Sequence, residues 1–265
     1  MKNLTYKMNL VMRRFLVPVV CVFVLTLRCS AEENPGVIKI LFLGDNGHHQ
    51  PRQRFAQLQP VLAKRDIELT YTDQAADLNA KTLAAYDGLI VYANITKISP
   101  EQEKALLDFV ENGKGFIPIH CASYCFLNSS KYIDLVGAQF LRHGTGVFRT
   151  TIADANHPIT KGFSGFESWD ETYVHTKHNT KDRIVLEYRV DKNDKEPWTW
   201  VRTQGKGRVF YTAYGHDERV WGHLSFHRLV RNAILWAAPS KMRAQLKLAP
   251  DQDLAAEISG FRAEP

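Results

Sequence analysis

Between Val37 and His120 four apolar runs recur, "VIKILFLG", "IELTY", "LIVYAN" and "FIPIH", separated by stretches long enough for a loop and a helix. This alternation constrains the fold more than any other feature. The first run, apolar and bounded by glycine, reads as a strand of the buried type, and the others read as further strands. Strands that alternate with helices in units of about 30 residues pair in parallel through right-handed crossovers. Between them, "RFAQLQPVLAKR" has helical spacing with Pro60 as an expected kink. Ser99 and Pro100 open a second helix, which Gly113 closes. The reading is an α/β domain on a parallel sheet.

The second half changes character. "GVFRTTI", "RIVLEYRV", "WTWVR" and "RVFYTAYG" are short β-like runs set apart by turn residues. They are expected to extend the sheet and wrap its rim. A last amphipathic helix, His223 to Ala238, ends at Pro239, and the region 239–265 reads as a charged tail or linker.

The first 31 residues read as a secretory leader: a basic stretch ending at Arg13 and Arg14, an apolar run from Phe15 to Leu27, and small residues at Cys29 and Ala31, the −3 and −1 positions for cleavage. The apolar run is too short for a comfortable membrane span. The expectation is therefore an exported protein, periplasmic or extracellular, with no stable span once the leader is cut. Net charge is +6, but five of the 34 basic residues lie before Glu32 and no acidic residue does. The remaining 29 basic and 28 acidic residues nearly balance, which removes the electrostatic case for nucleic acid. Only Cys121 and Cys125 lie beyond the leader, too few for a disulfide framework or a zinc ribbon, and they read as small, partly buried thiols. The sequence leaves association with a second copy open.

In an open parallel sheet, ligands gather outside the carboxyl ends of the strands. The polar residues collect there: Asp45, Asn46 and His48 after the first strand, Asn94 after the third and His120 after the fourth. All ten histidines fall between His48 and His227. His157, before a proline, and His227, on the last helix, read as structural. Two places stand out. "GKGFIPIHCAS" ends a strand in His120 and Cys121, and "GKGRVFYTAYGHDE" ends another in His216, with Glu218 two residues on.

Taken with "DNGHH", "LVGAQFLRHG", "HPITKGF", "WDETYVH" and "LVRNAILWAA", these stretches resemble the ThuA-like (trehalose utilisation) family over residues 37–238. The resemblance implies a flavodoxin-like three-layer sandwich with a mostly parallel central sheet, the fold of the class I glutamine amidotransferases. It also implies a carbohydrate ligand, with trehalose, related disaccharides and their 3-keto derivatives as the class. In the amidotransferases a cysteine nucleophile occupies the slot that His120 fills here. A histidine cannot replace that thiolate, and Cys121, one residue on, points elsewhere, so glutaminase chemistry is not expected. "NGHH" departs from the family's usual single histidine, which leaves open whether His48 or His49 acts.

The catalytic expectation is His120, Glu171 and His216, with Glu171 or an imidazole as base beside a sugar carbonyl and a second imidazole polarising the oxygen. The same three side chains would hold a divalent metal if one is bound, though no tight ligand spacing announces it. Substrate contacts are expected from Asp45, Asn46, His48, His143, Asp170, Tyr173 and Trp200, aromatic rings suiting sugar C–H faces and polar groups the hydroxyls. The activity would be that of a lyase, hydrolase or isomerase. The competing reading is a sugar-binding module on the same fold without catalysis.

Overall fold

A computed structural model of the chain describes residues 36–192 and 194–245; the leader read over residues 1–31 and the tail beyond residue 245 lie outside them. The first strands follow the apolar runs. They are β1 (Ile38–Leu43), β2 (Ile67–Thr72), β3 (Gly88–Val91) and β4 (Gly115–Pro118), joined through helices α1 (Pro51–Ala63), α2 (Ala80–Leu83) and α3 (Pro100–Glu111). β3 and β4 are buried at every position, as an interior parallel strand requires. The helix α1 runs through Pro60 to Ala63. At α3 the Ser99 side chain accepts from the Gln102 amide while Gln102 accepts from the Ser99 amide, a reciprocal cap with Pro100 in the first turn.

Helix α4 (Ser130–Val136) leads into β5 (Gln139–Arg142), β6 (Thr145–Arg149) and β7 (Thr151–Ile152). Then come β8 (Glu167–Glu171), β9 (Val174–Thr176), β10 (Arg183–Asp191), β11 (Asp194–Gln204) and β12 (Gly207–Thr212). Three helices follow: α5 (Glu218–Trp221), α6 (Leu224–Ala237) and α7 (Ser240–Gln245). The region read as a tail after Pro239 thus opens with one more short helix.

The main sheet has the order β2-β1-β3-β4-β12-β11-β10-β7. From β2 to β12 the neighbours are parallel, and β11, β10 and β7 extend the sheet antiparallel. The parallel part has the flavodoxin-like order 2-1-3-4-5, with β12 as its fifth strand. Helices α1, α5 and α6 touch one another, and α2, α3 and α4 form a second group, giving helix layers on the two faces. The expected rim strands therefore split. β7, β10, β11 and β12 join the sheet, whereas β6 pairs with β8 and β5 with β9 in two separate ribbons. No described helix is long and apolar enough to cross a membrane.

Candidate functional site

The carboxyl ends of β1, β4 and β12 each launch one imidazole. After β4, the backbone of His120 turns left-handed (φ +49°) and begins a single turn of 3-10 helix. For a residue with a Cβ this conformation costs on the order of 1–3 kcal/mol and persists where surrounding packing imposes it. Here His120 is fully buried. Its Nδ1–H donates to the Ala213 carbonyl (2.7 Å), and its ring stacks on Tyr173 at 4.2 Å between centroids. The facing loop is close. A Cβ on Gly215, itself at φ +133°, would come within 3.3 Å of the His120 Cβ.

That loop carries His216 and is held from both sides. Asp170 is fully buried and accepts from the amides of Gly215 (2.9 Å), His216 (3.1 Å) and Glu171 (2.8 Å). The Gly215 carbonyl accepts from Tyr92 (2.6 Å) and Trp221 (2.8 Å). Burial pushes the Asp170 pKa up, against the charge of His120 and the three amides. Asp170 therefore positions the His216 loop and is not placed to touch a substrate.

The third imidazole is His49, the second histidine of "GHH". Its Nδ1 bonds to Asn94 Oδ1 at 2.8 Å, and the Asn94 amide donates to Asp45 at 2.5 Å. Burial, then the neighbouring His120 and His48, lowers the His49 pKa to about 2, so the ring is neutral. With Nδ1–H donated to Asn94, the lone pair lies on Nε2. Arg54 ties this loop to the opposite one, donating to the His49 carbonyl and pairing with Glu218 at 3.1 Å. Glu218, the acid of the "GHDE" stretch, is thus engaged with Arg54, while the acid beside His216 is Glu171.

Glu171 ends β8, on the ribbon over the sheet's edge, and faces the imidazoles. Its carboxylate lies 3.2 Å from His120 Nε2, 3.2 Å from His216 Nδ1 and 3.5 Å from His143 Nε2. Burial works against its charge, but the contacts with His120 and His216 outweigh it and hold its pKa below the ordinary glutamate value. The same contact with Glu171 raises the pKa of His216. His49, His120, Glu171 and His216 present ligand atoms that all lie within 4.8 Å of one another. His48, His49, Asn94, Tyr124, Phe140, His143, Glu171 and Tyr173 line a cleft of about 160 Å³ over this cluster. A larger cleft, about 460 Å³, adjoins it through His143 and is walled by Arg142, Arg189, Asp191 and Glu196.

The structure thus brings together His120, Glu171 and His216, with His143 and Tyr173 at their side. It moves other expectations. His49 rather than His48 enters the cluster. His48 stays exposed, its ring 4.0 Å from that of His49. Asn46 is exposed and reaches Asp73, and Asp45 holds its own loop through the amides of Gly47 and Asn94. Trp200 is not a ligand residue. It is fully buried, donates to the Val136 carbonyl at 2.8 Å and packs on Tyr211. Trp198, Trp221 and Tyr214 are likewise core. Phe140 and Tyr124, which no sequence signal singled out, supply aromatic surface in the cleft instead. His157 packs on Trp236, and His227 reaches the Trp221 carbonyl, both structural. Cys121 and Cys125 are free thiols buried completely, and burial pushes both pKa values up, the opposite of a nucleophilic thiolate.

The family model of ThuA, described as trehalose utilisation, matches residues 39–237. No curated protein matches the sequence. Among solved structures, a protein described as ThuA-like from Bacteroides uniformis is similar at 20% identity and TM-score 0.65, over 76% of this chain and 91% of that one. Another described as ThuA-like, from Parabacteroides merdae, is similar at 16% identity and TM-score 0.62, over 76% and 90%. A Thermoplasma acidophilum protein described as part of a GMP synthase shares the fold at 14% identity and TM-score 0.51, over 80% and 97%.

Proposed function

The chain belongs to the ThuA family, trehalose utilisation, and we propose that it is an exported enzyme that acts on a keto-disaccharide or other keto-glycoside by acid–base chemistry, without glutaminase activity. One observation carries the choice of chemistry. Of the two neighbouring carboxylates Asp170 and Glu171, only Glu171 faces the cleft, since Asp170 is buried with three amides on its oxygens. Hydrolysis of an unactivated glycoside ordinarily uses two carboxyl groups about 5–10 Å apart on either side of the scissile bond. A site of imidazoles around one carboxylate suits a carbon acid, the C–H next to a carbonyl.

In this reading a sugar ring enters the cleft and lies against Tyr124, Phe140 and Tyr173, with its second unit toward the larger cleft beyond His143. His216, whose protonated form Glu171 favours, donates to the substrate carbonyl oxygen as negative charge develops there. An imidazole lone pair, that of His120 Nε2 at 3.2 Å from Glu171, accepts the C–H proton from the adjacent carbon. When that carbon neighbours the glycosidic carbon, the resulting enolate can expel the glycosidic oxygen, which leaves with a proton. His143, 38% exposed at its side chain, stands where protons exchange with solvent.

The test is mass spectrometry of 3-keto disaccharides incubated with the protein in deuterated water. Deuterium at the carbon beside the carbonyl, or a released monosaccharide, is expected, together with a roughly 100-fold or greater loss in His120→Ala and His216→Ala. Full turnover in both variants would sink the proposal. Calorimetric binding with neither exchange nor product would leave the binding-module reading in its place. Export is tested by the amino-terminus of the mature protein, expected at residue 32.

A further inference from the structure

We propose that the cluster binds a divalent transition metal of the zinc class, held by His49 Nε2, His120 Nε2, His216 Nδ1 and the Glu171 carboxylate. The inference deepens the reading of this site and rests on it for what the ion does there, but its evidence is the arrangement of the donor atoms.

Three buried imidazole nitrogens, His49 Nε2, His120 Nε2 and His216 Nδ1, have no hydrogen-bond partner. They are the same three rings whose ligand atoms, with Glu171, lie within 4.8 Å of one another. Two of them are fixed by a bond at the opposite nitrogen, His49 to Asn94 Oδ1 and His120 to the Ala213 carbonyl. A carbonyl oxygen accepts only, so in each ring Nδ1 holds a proton, and the neutral form of the ring presents its lone pair at Nε2. In the neutral ring that lone pair of His120 faces a carboxylate oxygen at 3.2 Å, acceptor against acceptor unless a proton or a cation lies between them. Like-signed lone pairs converging in a dry place call for a positive centre between them.

This is also the way metal-ligating histidines are built, with the distal N–H donated to a carbonyl that fixes tautomer and ring orientation. Two ligands on one ion at about 2.1 Å are about 3.4 Å apart in a tetrahedral site and at most about 4.2 Å apart across the ion, so atoms within 4.8 Å of one another need a contraction on the order of 1 Å. Three imidazoles and a carboxylate suit zinc, iron, manganese, nickel or cobalt and disfavour calcium and magnesium, which take oxygen ligands. The nearby sulfurs do not alter this, since Cys121 and Cys125 are outside the donor set. The site opens on the cleft lined by Tyr124, Phe140, His143 and Tyr173, which leaves a coordination position for a substrate oxygen. An ion there would supply the Lewis acidity for a sugar carbonyl in place of the His216 proton, and with His120 Nε2 engaged the imidazole left in the cleft to accept the C–H proton is His143.

The chain purified without chelators is analysed for metals, stripped with dipicolinate, and titrated with Zn²⁺ and Co²⁺ by calorimetry and visible absorption. About one equivalent is expected, with ligand-field bands from Co²⁺. His49→Gln and His120→Ala should each raise the Zn²⁺ dissociation constant at least about 100-fold, and Asn94→Ala, which unmoors His49, by roughly 10–100-fold. His157→Ala, remote from the cluster, should leave it unchanged. His49→Gln serves where His120→Ala does not fold, because His49 lies on ordinary backbone. Absence of one-to-one binding by the stripped protein, or equal affinity in wild type and His49→Gln, overturns the proposal. Binding without activity on any keto-sugar overturns the proposed function and leaves the metal site standing. Turnover undiminished after complete stripping leaves the proposed function standing and overturns the Lewis-acid role given to the ion.

Discussion

Glu171 Oε1 lies 3.2 Å from His216 Nδ1, while the preceding residue, Asp170, accepts from the His216 backbone amide at 3.1 Å. One histidine is thus gripped at its main chain by one acid and at its ring by the next. Residues adjacent on a strand point to opposite sides, which lets β8 perform both tasks with consecutive positions.

The ring contact predicts a pH signature in the chelator-stripped protein. Glu171 raises the folded-state pKa of His216, so the resulting stability is complete below the unfolded histidine value of about 6.5 and is lost as pH rises through the folded value. From the side of Glu171, whose folded pKa is lowered, the same stability is present above about 4.3 and lost as pH falls further. Wild type should therefore exceed Glu171→Gln in thermal stability most between about pH 5 and 6, with the gap narrowing as pH rises through the raised His216 value. An NMR titration of His216 should show its midpoint falling in Glu171→Gln. An unmoved midpoint would contradict the contact.

The backbone grip predicts a different phenotype. Asp170→Asn replaces an acceptor oxygen with an amide that meets a backbone N–H donor. Leaving such a buried group unsatisfied costs about 1–3 kcal/mol. Thermal denaturation should show that loss, and turnover should fall with it as the His216 loop shifts. Full stability in Asp170→Asn would refute the assignment.

Cys121 occupies the position beside the elbow without its chemistry. Cys121→Ala is expected to retain turnover within about twofold and to lose on the order of 1 kcal/mol of stability. Native protein should resist iodoacetamide at both thiols until it unfolds. Rapid labelling of Cys121 at neutral pH would revive a nucleophilic role.

Trp200 separates core from site. Trp200→Ala should destabilise by about 3–5 kcal/mol through the cavity it leaves. Trp200→Phe, which loses the bond to Val136, should fold with an unchanged KM. A raised KM in Trp200→Phe would return this residue to the ligand.

The parallel half of the fold was legible because its interior strands β1, β3 and β4 write themselves as largely apolar runs, and the edge strand β2 follows at the same spacing. The ribbons were not, since β6 (TGVFR) and β8 (ESWDE) carry neither an apolar run nor a regular alternation, and their pairing depends on what they cover. His120, Glu171 and His216 could be named from strand ends and family motifs. His49 could not be separated from His48, because neighbours in a loop share every local signal. The choice was made by Asn94, which follows a different strand. Trp200 was misplaced for the converse reason: an aromatic residue in a motif has the same spelling whether it faces a sugar or a helix.

The site draws on both ends of the domain. His49 follows the first strand of the sheet, His216 follows the last in the chain, and Glu171 arrives on a ribbon that belongs to neither. The set spans residues 49 to 216, so no single unit of strand and helix contains it. Whatever occupies the centre must therefore bind the finished fold and ignore every partly folded form, so occupancy would add its full binding free energy to the closure of the whole domain. The cluster would act as a clasp, its opening reporting the first loosening of the chain well before the core melts.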